Sequence, residues 1–113
     1  MSIRSMSIVW AVSKQSGSGL LLLLAIADIG NDLGEAYPSI SRLAARVRIT
    51  ERGLQKLIIR VEGDGELTSE SRYIADKSGK HKQTSNLYSI ILPGLENPHA
   101  LKKYPRPVVR PPG

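Results

Sequence analysis

Apolar residues recur at helical spacing near the start of the chain. Met6, Val9 and Trp10 predict a short helix over residues 7–14, with Trp10 in the core. Several residues of this stretch are β-branched, which leaves a strand as the alternative.

The next apolar stretch has no polar face. Residues 20–29 read LLLLLAIADI, and a helix that is apolar nearly all round is buried centrally. Ser18 is the expected N-cap, and the Gly- and Asn-containing residues 30–34 are expected to end the helix. Because the apolar run is far shorter than the roughly 20 residues that a bilayer span needs, the sequence predicts a core helix and a cytoplasmic protein.

Two amphipathic helices with a tight connection between them follow. Ser39 is a good N-cap for the first, and Thr50 caps the second, with Glu51 in its first turn. Each helix has one apolar face at i, i+3, i+4 and i+7 spacing. The first face holds Ile40, Leu43, Ala44 and Val47, and the second holds Leu54, Leu57, Ile58 and Val61.

The last third of the chain changes to an alternating pattern. Residues 66–75 and 86–92 predict two strands, with residues 76–85 as a polar loop, which together make a β-hairpin. From residue 93 the chain is rich in proline. The expected organisation is therefore one domain over residues 1–92 and a flexible basic tail over residues 93–113, which could bind a protein partner.

Positive charge is concentrated in the two amphipathic helices. The chain carries a net charge of +6, and residues 39–60 hold six basic residues against the single acid Glu51. A charge run is usually a solvated helix face, but here it coincides with the break between two helices. Nucleic acid is the expected partner. An anionic membrane surface is the competitor on charge alone, and no membrane partner is predicted.

Short motifs occur in a fixed order across most of the chain. They are Ala27-Asp28, Asn31-Asp32, Gly34, Pro38-Ser39-Ile40, Leu43-Ala44, Thr50-Glu51-Arg52, Leu54-Gln55-Lys56, Glu62, Gly65-Glu66-Leu67 and Asn86-Leu87-Tyr88. In this order the chain resembles the winged helix-turn-helix domain of plasmid and phage replication initiators and related actinobacterial regulators. Gly53 departs from that pattern, where the family usually has Thr, and Ile59 stands at a usually polar position.

The resemblance implies a mainly α fold with a β-hairpin wing, of the α+β class. It also implies a protein that binds double-stranded DNA in replication initiation or transcription regulation, in the cytoplasm and on the nucleoid when bound. Such a protein acts by occupancy, and a homodimer is compatible with it.

Candidate contacts follow from the chemistry of the side chains. Arg52, Gln55 and Lys56 suit base edges, since Arg pairs with guanine and Gln with adenine. Other basic side chains suit phosphate, and those of the hairpin loop are either a DNA-gripping wing or a solvated tip. The predicted DNA-binding residues are Ser39, Ser41, Arg42, Arg46, Arg48, Thr50, Glu51, Arg52, Gln55, Lys56, Arg60, Lys77, Lys80 and Lys82.

No catalytic chemistry is expected. The chain has no cysteine, and His81 and His99 stand apart from any carboxylate pair, so the sequence predicts no metal, no cofactor and no enzyme activity. The alternative function is a protein-interaction module that no longer reads DNA. Gly53 and Ile59 favour that alternative, whereas the charge of residues 39–60 favours DNA binding.

Overall fold

A computed structural model describes residues 3–75 and 81–105, with only the backbone described at residues 72–75 and 81–85. It contains five helices and three antiparallel strands within those ranges, so the predicted α+β class is confirmed. The helices are α1 (Ile3–Val12), α2 (Gly17–Ile29), α3 (Ile40–Val47), α4 (Glu51–Gly63) and α5 (Pro98–Lys103). The strands are β1 (Glu35–Ala36), β2 (Leu67–Ala75) and β3 (His81–Ile90).

Helix α2 is the centre of the core, as its sequence predicts. Leu22, Leu23, Ile26 and Ala27 have no solvent exposure, and α2 contacts α1, α3, α4, β1 and β3. The helix begins at Gly17, with Ser16 at the N-cap position, so the predicted cap at Ser18 is wrong. Nothing in the described ranges forms a helix long and apolar enough to cross a membrane.

The turn after α2 depends on two glycines. A Cβ on Gly30 would lie 2.4 Å from the carbonyl oxygen of Glu35, so any side chain there would collide with backbone. Gly34 has a φ of 82°, which L-residues rarely adopt. These glycines let the chain reverse sharply from α2 into β1.

Helix α1 forms where either a helix or a strand was possible, but its buried face differs from the prediction. Ser5 and Val9 face the core, and the Ser5 hydroxyl donates to the carbonyl oxygen of Asn31 at 2.8 Å. Trp10 lies one residue further round the helix and is 65% exposed, so its predicted place in the core is wrong. The helix also begins earlier than the predicted residue 7.

The sheet has the order β1-β3-β2, with β3 in the middle. β3 begins at His81, so residues 81–85 belong to a strand and the predicted loop over residues 76–85 is too long. The polar residues Lys82 and Gln83 pair with Ile74 and Tyr73, because ladder hydrogen bonds come from the backbone and need no apolar side chain.

The chain after β3 packs on the domain up to α5. Leu95, Asn97 and Ala100 are buried, so this part of the predicted flexible tail is ordered structure. The local signal is Asn97-Pro98, a good N-cap followed by a good first helical residue. Residues 106–113 of the predicted tail lie outside the described ranges.

Asn97 joins three parts of the chain. Its buried amide donates to the carbonyl oxygens of Leu33 at 2.7 Å and Ile90 at 2.8 Å, and its Oδ1 accepts from Ala100 N at 2.9 Å. The bonds to Ile90 and Ala100 are buried and the bond to Leu33 is partly buried, so solvent compensates little for the loss of the first two.

Replacing Asn97 with Ala should therefore lower the free energy of unfolding by about 2–4 kcal/mol, because a helix cap is lost and the carbonyls of Leu33 and Ile90 lose their side-chain donor. Urea unfolding followed by circular dichroism measures this. His99→Ala is the matched control on the same helix, because it removes only an exposed pair with Glu70 and should cost under about 1 kcal/mol. Equal losses in the two variants would contradict the role given to Asn97.

Candidate nucleic-acid interface

The α3–α4 pair is held by two side-chain caps. Ser39 Oγ accepts from Arg42 N at 3.1 Å, and Thr50 Oγ1 accepts from Gly53 N at 3.0 Å, so both predicted caps are confirmed. Each hydroxyl therefore satisfies a backbone N–H that would otherwise lack an intrahelical partner. Ser41 is exposed, and its hydroxyl lies 3.3 Å from that of Ser39.

The turn between α3 and α4 passes through a left-handed residue. Arg48 has φ 64° and ψ 44°, and it is the one non-glycine residue with positive φ in the described part of the chain. Its backbone N–H donates to Ala44 O at 2.8 Å and closes α3. The left-handed conformation is roughly 1–2 kcal/mol less favourable for an L-residue than the right-handed one. Glycine would therefore be less strained than arginine at this position.

The outward face of α4 is a stripe of four side chains: Arg52, Gln55, Lys56 and Ile59. All four are exposed, and their i, i+3, i+4 and i+7 spacing places them on one side of the helix. The opposite side is buried and holds Leu54, Leu57, Ile58 and Val61. The buried face fixes the rotation of α4, so the outward stripe is presented to solvent by the packing itself.

Five basic side chains around this stripe are exposed and make no ion pair with any residue that the structure describes. They are Arg42, Arg48, Arg52, Lys56 and Arg60. Arg60 lies toward α2, since a Cβ on Gly19 would be 3.2 Å from its Nη2. Unpaired like charges on one pair of adjacent helices repel one another in the free protein, and an anionic partner would relieve that repulsion.

Arg46 differs from the other predicted contacts. Its guanidinium forms an ion pair with Asp28 on α2, so part of its charge is already neutralised. Glu51 is exposed in the first turn of α4, where its carboxylate is favourable for the helix dipole.

The predicted wing is described only in part. Lys77 and Lys80 lie outside the described residues, and Lys82 is placed in β3 by its backbone alone. The structure therefore brings together the predicted residues of α3, the turn and α4, and says nothing of the lysine side chains in the hairpin.

A groove beside α4 was not predicted. It has a volume of about 560 Å³, lies between α4, the start of α3 and the hairpin, and is lined by Pro38, Ile40, Ile58, Ile59 and Tyr88 among others. Burial raises the pKa of the Tyr88 phenol above its ordinary value of 10.0, a hydrogen bond with Asn86 lowers it, and the charge of Glu62 raises it. The only sequence signal for the groove was Ile59, an apolar residue in a polar stripe.

Within residues 3–75 and 81–105, no three His, Asp or Glu side chains are grouped so that they could hold a metal ion.

Comparisons with known proteins give one partial relative. The chain is 29% identical over 107 aligned residues to "Protein YmfN" of Escherichia coli (strain K12), which covers 84% of this chain and 24% of YmfN. The chain thus spans about a quarter of the length of the curated relative it matches. No protein-family model and no solved structure matches the chain.

The strain at Arg48 gives a test of the turn. Arg48→Gly should raise the free energy of unfolding by about 0.5–1 kcal/mol, because glycine adopts the left-handed conformation without a Cβ penalty. Arg46→Gly is the matched control within α3 and should lower the free energy of unfolding by about 1 kcal/mol. Urea unfolding of both variants measures whether the free energy of unfolding rises or falls in each. A loss of stability in Arg48→Gly would show that the turn is not strained.

Proposed function

We propose that this chain is a winged helix-turn-helix domain that binds double-stranded DNA and acts by occupying its site, without catalysing a reaction. Helix α3 is the positioning helix, α4 is the recognition helix in the major groove, and the β2–β3 hairpin is the wing. The observation that carries the proposal is the set of five exposed basic side chains on and around α3 and α4, none paired with a described acid. This charge is concentrated on one helix pair, as a phosphate-binding surface requires.

Roles within the proposed interface follow from position. Arg52, Gln55 and Lys56 lie on the outward stripe of α4 and are suited to base edges. Arg42 and Arg48 lie on α3 and in the turn, where side chains suit phosphate. Arg46 contributes less than these two, because Asp28 already holds its guanidinium.

The biological role that fits this chemistry is replication initiation or transcription regulation, in the cytoplasm and on the nucleoid. DNA binding of this kind needs no cofactor. A homodimer would place two recognition helices about one DNA turn apart, and half-site spacing in a footprint would reveal it.

The second candidate function is a protein-interaction module. The groove beside α4 favours it, since Ile40, Ile58 and Ile59 are part of its lining, together with polar residues such as Gln55 and Glu62. A partner held there by contact with these isoleucines would show only a weak dependence on salt.

Salt dependence separates the two functions. Random duplex DNA offers no selected bases, so all five unpaired cations are expected to neutralise phosphates there. The logarithm of the association constant for random duplex DNA should then fall with the logarithm of salt concentration at a slope of about −4.5. Fluorescence anisotropy at several salt concentrations measures the slope. Arg42→Ala should reduce its magnitude by about 1, whereas the control Lys102→Ala on α5 should leave it unchanged. A slope near zero in the unmodified chain would overturn the proposal.

If Arg52 contacts bases, its replacement should affect binding to a selected site more than binding to random duplex DNA. Arg52→Ala should lower the preference for a selected site over random duplex by roughly 1–3 kcal/mol, because one bidentate base contact is lost. Arg42→Ala should weaken both duplexes by the same factor, and Arg46→Ala should do so by a smaller factor. Competition titrations with the two duplexes provide the measurement. An equal loss on both duplexes in Arg52→Ala would place that residue on phosphate.

A further inference from the structure

Ile59 is the one large apolar residue of α4 that the fold does not bury. It is 69% exposed, whereas Leu54, Leu57, Ile58 and Val61 are all buried. Isolated exposed apolar residues are common on protein surfaces, so exposure alone carries no argument. The position is what matters: Ile59 lies on the outward stripe, on the same side of α4 as Arg52 and Lys56.

Gln55 lies on this stripe one helical turn before Ile59. Residues four apart on a helix are separated by about 6 Å along its axis, which is roughly two base steps. A glutamine side chain in the major groove pairs with the N6 and N7 atoms of adenine. A side chain one turn further along therefore meets a base edge close to that adenine.

We propose that Ile59 is a specificity-determining residue that packs against the C5-methyl group of thymine in the major groove. This inference rests on the proposed DNA-binding function. Thymine is the base whose major-groove edge carries an apolar group, and isoleucine has no donor or acceptor for the edges of guanine or cytosine. Facing those bases, Ile59 would remove water from their polar atoms without replacing the hydrogen bonds.

The surroundings favour DNA over a peptide as the occupant of this face. Lys56 lies one helical turn before Ile59 and Arg52 one turn further back on the same stripe, both exposed and neither paired with a described acid. A purely apolar peptide seated on Ile59 would bring these charges out of water without a partner, at a cost in free energy. A duplex supplies the phosphates and the methyl group on the same surface.

The test begins with a site selected from randomised duplexes by the unmodified chain. Each thymine of that site is then replaced in turn by uracil, which removes only the methyl group. At one or two positions the unmodified chain should bind the uracil duplex about four-fold more weakly, the effect expected for one buried methyl-sized group. Ile59→Ala should bind the thymine and uracil duplexes equally at those positions.

Leu21→Ala is the matched control, because Leu21 is an exposed apolar residue on α2, away from the stripe. It should keep the full preference for thymine. Circular dichroism checks that each variant is folded, and the uracil series on the unmodified chain needs no variant.

Three outcomes would overturn the inference. Equal binding of all thymine and uracil duplexes by the unmodified chain would show that no methyl group is contacted. A thymine preference that survives in Ile59→Ala would show that another residue makes the methyl contact. Failure of the unmodified chain to bind any duplex at low salt would contradict the proposed function itself, and the selection step shows this before any base is replaced.

Discussion

Helix α2 is apolar around most of its circumference, and five other elements pack against it. Leu22, Leu23, Ile26 and Ala27 are removed from water completely. Helix α3 has only eight residues and would be unstable alone in water. Its existence depends on placing Leu43, Ala44 and Val47 against the rest of the core.

That dependence explains why the polar surface of α3 and α4 is presented in one orientation. Each helix is rotated by the need to bury its apolar side, and the basic side chains occupy what remains. Asp28 reaches from α2 to Arg46, so the central helix also sets how much positive charge α3 displays. Packing and electrostatics are coupled at this point, although the residues are far apart in sequence.

Several features encoded by neighbouring residues were predictable, although the cap of α2 was placed at Ser18 and the structure has it at Ser16. Ser39 and Thr50 were identified as caps because the signal lies within four residues, and the two faces of α4 follow from helical spacing. Contacts between distant segments were not. Helix α1 buries Ser5, which bonds to Asn31, together with Val9, so Trp10 faces solvent, and nothing near Trp10 indicates this. The start of β3 was not predicted because polar strand residues resemble loop residues. Helix α5 was not predicted because the proline-rich composition of the segment outweighed the local helix signal of Asn97-Pro98.

Arg48 shows a trade-off between stability and charge at a single residue. Its backbone conformation suits glycine, yet the chain keeps an exposed cation there, between the two helices that carry the basic surface. Strained residues persist in proteins where the surrounding structure holds them and the side chain is useful. Glycine at this turn would relieve the backbone strain and remove a positive charge at the same time, so no substitution by glycine can improve one property without giving up the other.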